Sequence, residues 1–487
     1  METYKDNNGN PLTNSFLIDY GGKIKRNKKN ELISSCGIFF DHLNFQNTLS
    51  KGSYSDKDKE VSKFIDFYSY FKFELDDQNV ESIQLILSII EQREPNSKDL
   101  VLSCFSALNC LLNSKVKSSV LLNFHILQIL HPYLANPNAE DIIPTLQVVN
   151  HLLSEKEHSR VFSNYSISIF KMILLEFDAK QIDEIIYKIL FKLFKIISKQ
   201  KDINSIILNT SINDIFSAIF VIFERERKKF ISNPREFKSS ILNSYLNLLY
   251  ILIQNKRGII PDMNAKPTTD SISPMDFFKF TLENLKRKSI EKTLLILTEI
   301  IYVDFNYFYS IDLRQISYHL NSKFAQVQSA SINFFYSILQ ALTNSNDLTN
   351  EIKNLHVKIS QMEVFPNLFN LFISDQLFYQ SKVISVQLFD ALFNILPNSS
   401  LDFYYDRPLI DYLCSFINDN LDDSALISIL NIFIMMMNLT NDIKKNFLIQ
   451  ETKALIDENT IDIFLQSNDP NVRHKADYFF RFINESN

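Results

Sequence analysis

Eight histidines, four cysteines and several paired carboxylates are the residues of this 487-residue chain that could do chemistry. Their spacing decides whether they can. His42, His125, His131, His151, His158, His319, His356 and His474 are dispersed, and none stands four residues from another histidine or a cysteine. Two zinc ligands on one helix need that spacing to reach the same ion. Cys36, Cys104, Cys110 and Cys414 form no C-x-x-C pair, and Cys104 and Cys110 share one apolar stretch. They read as buried thiols of a reducing compartment. No HExxH, GxSxG or Walker A run occurs. Asp76–Asp77 and Asp422–Asp423 stand where helices should begin, so they are expected to cap helices rather than act as acid and base. The expectation is a chain that is not an enzyme, with no metal site and no cofactor.

Two stretches carry concentrated positive charge. Lys23–Lys29, "KIKRNKK", reads as solvated charge, with a nuclear-localisation signal as the alternative. Ser467–Ile483, "SNDPNVRHKADYFFRFI", mixes Arg473, His474, Lys475 and Arg481 with Tyr478, Phe479, Phe480 and Phe482. Phosphate-backbone binding needs a dense excess of Lys and Arg, and the formal net charge is −6. Nucleic acid is therefore disfavoured as the main ligand. In the second stretch Val472, Ala476, Phe479, Phe480 and Ile483 share one helical face, which predicts a core face; Arg473, Lys475, Asp477 and Arg481 are expected on the outward side.

Composition bounds the elements that would carry these residues. Apolar residues make up 46% and charged residues 22%, the balance of a globular chain. Five of the six glycines lie within the first 52 residues and the sixth is Gly258. Phosphate-cradling loops and tight hairpins need residues that accept positive φ, so nucleotide-binding α/β folds and all-β folds are excluded. The N-terminus has no apolar secretory core. The most apolar run, Leu426–Leu439, is shorter than the roughly 18 residues of a membrane span. No membrane span is expected, and the location expected is the cytoplasm, with the nucleus as alternative.

From about residue 60 apolar residues recur at helical spacing. The longer helical segments share an anchor pair: Ala107–Leu108, Val148–Val149, Ile189–Leu190, Tyr245–Leu246, Ile296–Leu297, Phe334–Phe335, Ala391–Leu392, Ile432–Phe433 and Phe479–Phe480. Successive first members are 41, 41, 56, 51, 38, 57, 41 and 47 residues apart. A helical period near 40 predicts an α-solenoid, in which each unit buries its apolar face only against its neighbours. Shorter helices fit between the anchors, at "VESIQLILSII", "NFHILQILHPYL", "ISIFKMILLEF" and "VFPNLFNLFI". Residues 1–58 read as an irregular, partly basic arm, and 59–487 as the solenoid. Insertions are expected near 224–238, as a helix extension followed by a loop, and near 254–275, as an exposed loop.

"DALFNIL" (Asp390–Leu396) matches the A-L-x-N-L phrase of armadillo repeats through Ala391, Leu392, Asn394 and Ile395. The opening "NDPNVRHKA" matches the HEAT-like D-x-x-V-R-x-x-A through Asp469, Val472, Arg473 and Ala476, and "VQSA" (Val327–Ala330) is similar. Over residues 75–487 the chain resembles the armadillo and HEAT family. The resemblance implies an all-α, right-handed superhelical α-solenoid of about nine repeats. It implies a groove lined by two positions four apart on each third helix. Those would be Asp390 and Asn394, Ser106 and Cys110, Gln147 and His151, Lys188 and Lys192, Asn333 and Ser337, and Asn431 and Met435. It also implies a non-catalytic scaffold or adaptor that holds a protein or peptide segment in that groove. Alternatives are a divergent importin-α-like transport adaptor and a regulatory subunit of a phosphatase or kinase. Importin-α-like chains place Trp and Asn at the two groove positions; here Trp is absent and only Asn394 keeps the Asn. That removes the best cation–π site for a basic peptide.

Overall fold

Apolar side chains every three to four residues, with almost no glycine between them, leave helices as the way to satisfy the backbone while burying those faces. The structure, a computed structural model, describes residues 40–70, 77–92, 97–113, 125–153, 168–199, 205–255, 260–264, 272–343, 364–395, 398–417 and 422–485. Every regular element among them is helical. The chain divides into two compact units, residues 1–221 and 222–487.

The first unit holds α1 (His42–Lys51), α2 (Tyr54–Tyr70), α3 (Asp77–Gln92), α4 (Lys98–Asn113), α5 (Ile126–Ala135), α6 (Ile142–Leu152), α7 (Ser168–Glu176) and α8 (Lys180–Lys199). They form two rows. In the first row α2 packs on α4, α4 on α6 and α6 on α8; in the second α1 packs on α3, α3 on α5 and α5 on α7. Helix α9 (Ser205–Ser232) runs across the division between the units.

The second unit holds α10 (Ser240–Asn255), α11 (Pro274–Asn284), α12 (Arg287–Val303), α13 (Leu313–Tyr318), α14 (Ala325–Thr343), α15 (Val364–Ile373), α16 (Tyr379–Ile395), α17 (Asn398–Tyr404), α18 (Arg407–Ile417), α19 (Asp423–Met435), α20 (Asp442–Leu455), α21 (Glu458–Leu465) and α22 (Pro470–Glu485). Its first row runs α10, α12, α14, α16, α19, α22, each packed on the next. Behind it α11 meets α13, and α15, α18 and α21 follow one another.

All nine anchor pairs fall on first-row helices, and every member but the half-buried Ala391 is buried. Burying each such Leu, Ile or Phe contributes about 1.5–3 kcal/mol, so the row is where the solenoid gains its stability. Helix openings are marked as expected: Asp422 accepts from the Ala425 amide at 2.8 Å and Ser273 from Asp276 at 3.2 Å, with Pro274 at the first helical position. In α22 the buried residues are Val472, Ala476, Phe479, Phe480 and Ile483, the face read from the sequence.

The structure differs from expectation in three places. Residues 42–58, assigned to an irregular arm, include α1 and the start of α2. Phe40, Phe45, Phe64 and Tyr68 pack ring on ring, and His42 bonds Tyr68 and Ser82 at 2.6 and 3.0 Å. This aromatic cluster pins α1 to the stack, so α2 becomes a first-row helix ahead of the first anchor pair; residues 1–39, with Lys23–Lys29, lie outside the described residues. The stretch near 254–275 is not wholly exposed, because Met263 is fully buried, its carbonyl accepts from Met275 and its amide donates to the Tyr307 hydroxyl. Lys475 does not dress the outward side of α22. Its ammonium donates to the Asn431 side chain on α19.

Candidate protein-binding face

Along the first row several polar side chains, most of them within two residues of an anchor pair, meet those of the next helix. In the first unit Ser69 on α2 contacts Cys110 on α4 at 3.8 Å. Asn109 on α4 donates to the Pro144 carbonyl and the Gln147 side chain on α6, at 3.3 and 3.4 Å. Lys192 on α8 donates to the backbone and side-chain oxygens of Asn150 on α6, at 2.5 and 2.8 Å. These partners are separated by 41, 38 and 42 residues, so the bonds run from repeat to repeat.

The second unit carries a counterpart. Asp390 on α16 accepts from Asn431 on α19 at 2.8 Å and from Asn394, one turn along its own helix, at 2.9 Å. Lys475 on α22 closes the row on Asn431. On the other side Gln340 donates to the Tyr336 hydroxyl on α14 at 2.7 Å. Burial raises the Asp390 carboxyl above its ordinary range, against the opposing pull of hydrogen bonds from Asn431 and Ser428 and of the Lys475 charge. Burial likewise raises the Tyr336 hydroxyl, helped by the Asp390 charge. In the first unit burial, then the Lys192 charge, lowers His151, which keeps the imidazole neutral near neutrality. Burial and the neighbouring Lys188 lower Lys192.

The expected groove residues are therefore placed as follows. Gln147, His151 and Lys192 are half-buried on one face of the first unit, with Lys188 exposed beside them. Asp390 and Asn431 are half-buried and joined, and Asn394 is exposed. Asn333 is half-buried, whereas Ser337 is buried where α14 packs between α12 and α16, as Asn109 is on α4. Asn109, Asn150, Tyr336 and Lys475 were missed. Asn109 and Asn150 each directly follow an anchor pair, a recurrence that could have revealed them.

Elsewhere, a pocket of about 220 Å³ between α13 and α15 is lined by Arg314, Tyr318, Asn321, Val364 and Asn367. Ligand pockets usually run from about 300 Å³ upward. Among the described residues no group of three His, Cys, Asp or Glu side chains could hold a metal ion, and no helix is long and apolar enough to cross a membrane.

No family model and no curated protein matches this chain by sequence. Solved structures do match in shape. The crystal structure of SYS-1 superposes with a TM-score of 0.57 at 10% identity, covering 96% of this chain and 94% of SYS-1. The crystal complex of SYS-1/POP-1 gives 0.56 at 10%, with the same coverage. An engineered protein gives 0.57 at 10%, over 92% of this chain and all of its own. At such identity these likenesses speak for the fold. The fold is an all-α solenoid with a distant resemblance to armadillo structures.

Proposed function

We propose that this chain is a non-catalytic scaffold or adaptor that holds an extended segment of another protein along the polar face of its first-row helices. The observation that carries the reading is the row of hydrogen bonds from repeat to repeat, Asn109 to Gln147 and Lys192 to Asn150 in one unit, Asp390 to Asn431 to Lys475 in the other. Side chains already held by a neighbour lose little freedom when a ligand arrives, which lowers the cost of binding. Amide and hydroxyl groups spaced along successive first-row helices suit the repeating N–H and C=O groups of an extended chain. SYS-1 has been crystallised in complex with POP-1, which accords with a solenoid of this kind holding a protein partner. Buried thiols at Cys104 and Cys414 accord with a cytoplasmic or nuclear setting. A basic peptide is a poor ligand for this face. The chain has no Trp, and Lys188 and Lys192 would repel it.

The test is affinity purification with quantitative mass spectrometry of the wild-type chain, a Lys188→Glu/Lys192→Glu variant and an Asp390→Ala/Asn431→Ala variant. A partner recovered near stoichiometry with wild type and depleted from at least one folded variant supports the reading. An identical partner set from all three would overturn it.

A further inference from the structure

In the second unit the openings of α12, α14 and α16 lie along one edge of the first row. Ser289 donates to Asn243 at 2.8 Å, the Phe378 amide donates to Gln328 at 3.2 Å, and Ser329 and Ser381 meet at 2.9 Å. Charge on this edge is one-sided. Lys286, Arg287 and Lys288 open α12, and Lys323 stands just before α14; the three lysines are exposed. Among the described residues none of these four cations lies within ion-pair distance of a carboxylate. The acids nearby are engaged or set back. Asp375 pairs with Lys382, Glu283 accepts from the Gln315 side chain, and Glu291 lies one turn inside α12.

Two of the cations also lie against one aromatic ring. The Arg287 guanidinium lies 5.1 Å from the centre of the Phe324 ring, and the Lys323 ammonium lies 5.6 Å from the same ring. Arg287 is held there by the Gln326 side-chain oxygen. Like charges gathered on one ring repel, and an anion beside them relieves that repulsion. Because the whole chain is net −6, the edge stands against the general charge rather than following from it.

We propose that this edge, outside the polar face described above, is a docking surface for an acidic protein segment rich in Asp and Glu. Single-stranded nucleic acid fits less well. It draws much of its affinity from bases stacked on open aromatic faces. Phe324 already has Arg287 and Lys323 against it, Tyr379 sits edge-on to Phe416 at 6.1 Å, and the exposed Phe378 is a single ring rather than a run of stacking faces. Four cations also fall short of the dense charge that phosphate-dominated binding requires.

The test uses the full chain and two fluorescent probes, an oligo-glutamate peptide and an oligo-uridylate of equal charge, followed by anisotropy at low and high salt. Oligo-glutamate is expected to bind at low salt and weaken as salt rises. Lys286→Glu/Lys288→Glu/Lys323→Glu should weaken it by about tenfold or more, and the corresponding triple Gln variant by less. Lys188→Glu/Lys192→Glu should leave it unchanged, which separates this edge from the face proposed for the scaffold function. Undiminished binding by the folded triple Glu variant, loss in the Lys188/Lys192 variant instead, or tighter binding of oligo-uridylate would each overturn the proposal.

Discussion

At Asp390 one half-buried carboxylate ties α16 to α19, and through Asn431 to α22. Removing it leaves the Asn431 amide without its acceptor in a partly desolvated site. Asp390→Ala is therefore expected to destabilise the second unit by about 1–3 kcal/mol, seen as a lower chemical-denaturation midpoint. Asp390→Asn keeps one acceptor oxygen and should cost less. The raised carboxyl fixes the sign of the pH effect. The folded chain keeps a proton that the unfolded chain has released, so stability owed to Asp390 falls as pH rises above the ordinary value of 3.8 and levels off past the folded value. Wild type should lose stability relative to Asp390→Asn across that window; parallel profiles would show that the carboxyl is not shifted. His151 runs the other way. Its lowered value means that the unfolded chain takes up a proton which the folded imidazole resists, so this site loses stability as pH falls below 6.5. His151→Gln should remove that acid-side loss, measurable by thermal unfolding at a series of pH values.

The last first-row helix shows what an element contributes. In α22 Phe479 stacks on Phe433 of α19, with ring centres 5.2 Å apart and planes within 10°. Both rings are fully buried. Phe479→Ala should cost about 3–5 kcal/mol through lost burial and the cavity left behind. Tyr478, exposed on the same helix, should tolerate Ala with little change. Equal losses at 478 and 479 would mean that the face of α22 has been misassigned. The opening of α19 depends on a different residue type. Asp422→Ala removes the bond to the Ala425 amide and should cost about 1 kcal/mol, with Asn at that position largely restoring it.

For the whole molecule the consequence lies in cooperativity. Each first-row helix packs on its neighbours in the row, and the two units are separately compact. A stack held by nearest-neighbour contacts need not unfold in one step. Hydrogen exchange read by mass spectrometry should show Phe479→Ala accelerating exchange in α16, α19 and α22, while α2, α4 and α6 keep wild-type protection. Uniform acceleration across both units would indicate a single cooperative body.

Much of this architecture was legible in the chain itself because helices report their buried faces every three to four residues. Scarce glycine excluded the competing folds, and the anchor pairs located nine first-row helices. What the sequence determined was thus the element type, the repeat and the core face of each helix, since these follow from local periodicity and from burial shared between adjacent repeats. Only the tertiary structure decided where polar side chains go. The first residues of α2 read as part of the arm because they fall in a lysine- and aspartate-rich run, and the helix's place in the first row depends on α1 docking through Phe40, Phe45 and His42. Lys475 read as surface charge until packing brought Asn431, 44 residues away in sequence, to its ammonium. Ser337 read as a groove residue until α14 was seen packed between two helices. A polar side chain on a half-buried face has more than one low-cost environment, and which one it takes depends on contacts between repeats that local spacing does not encode.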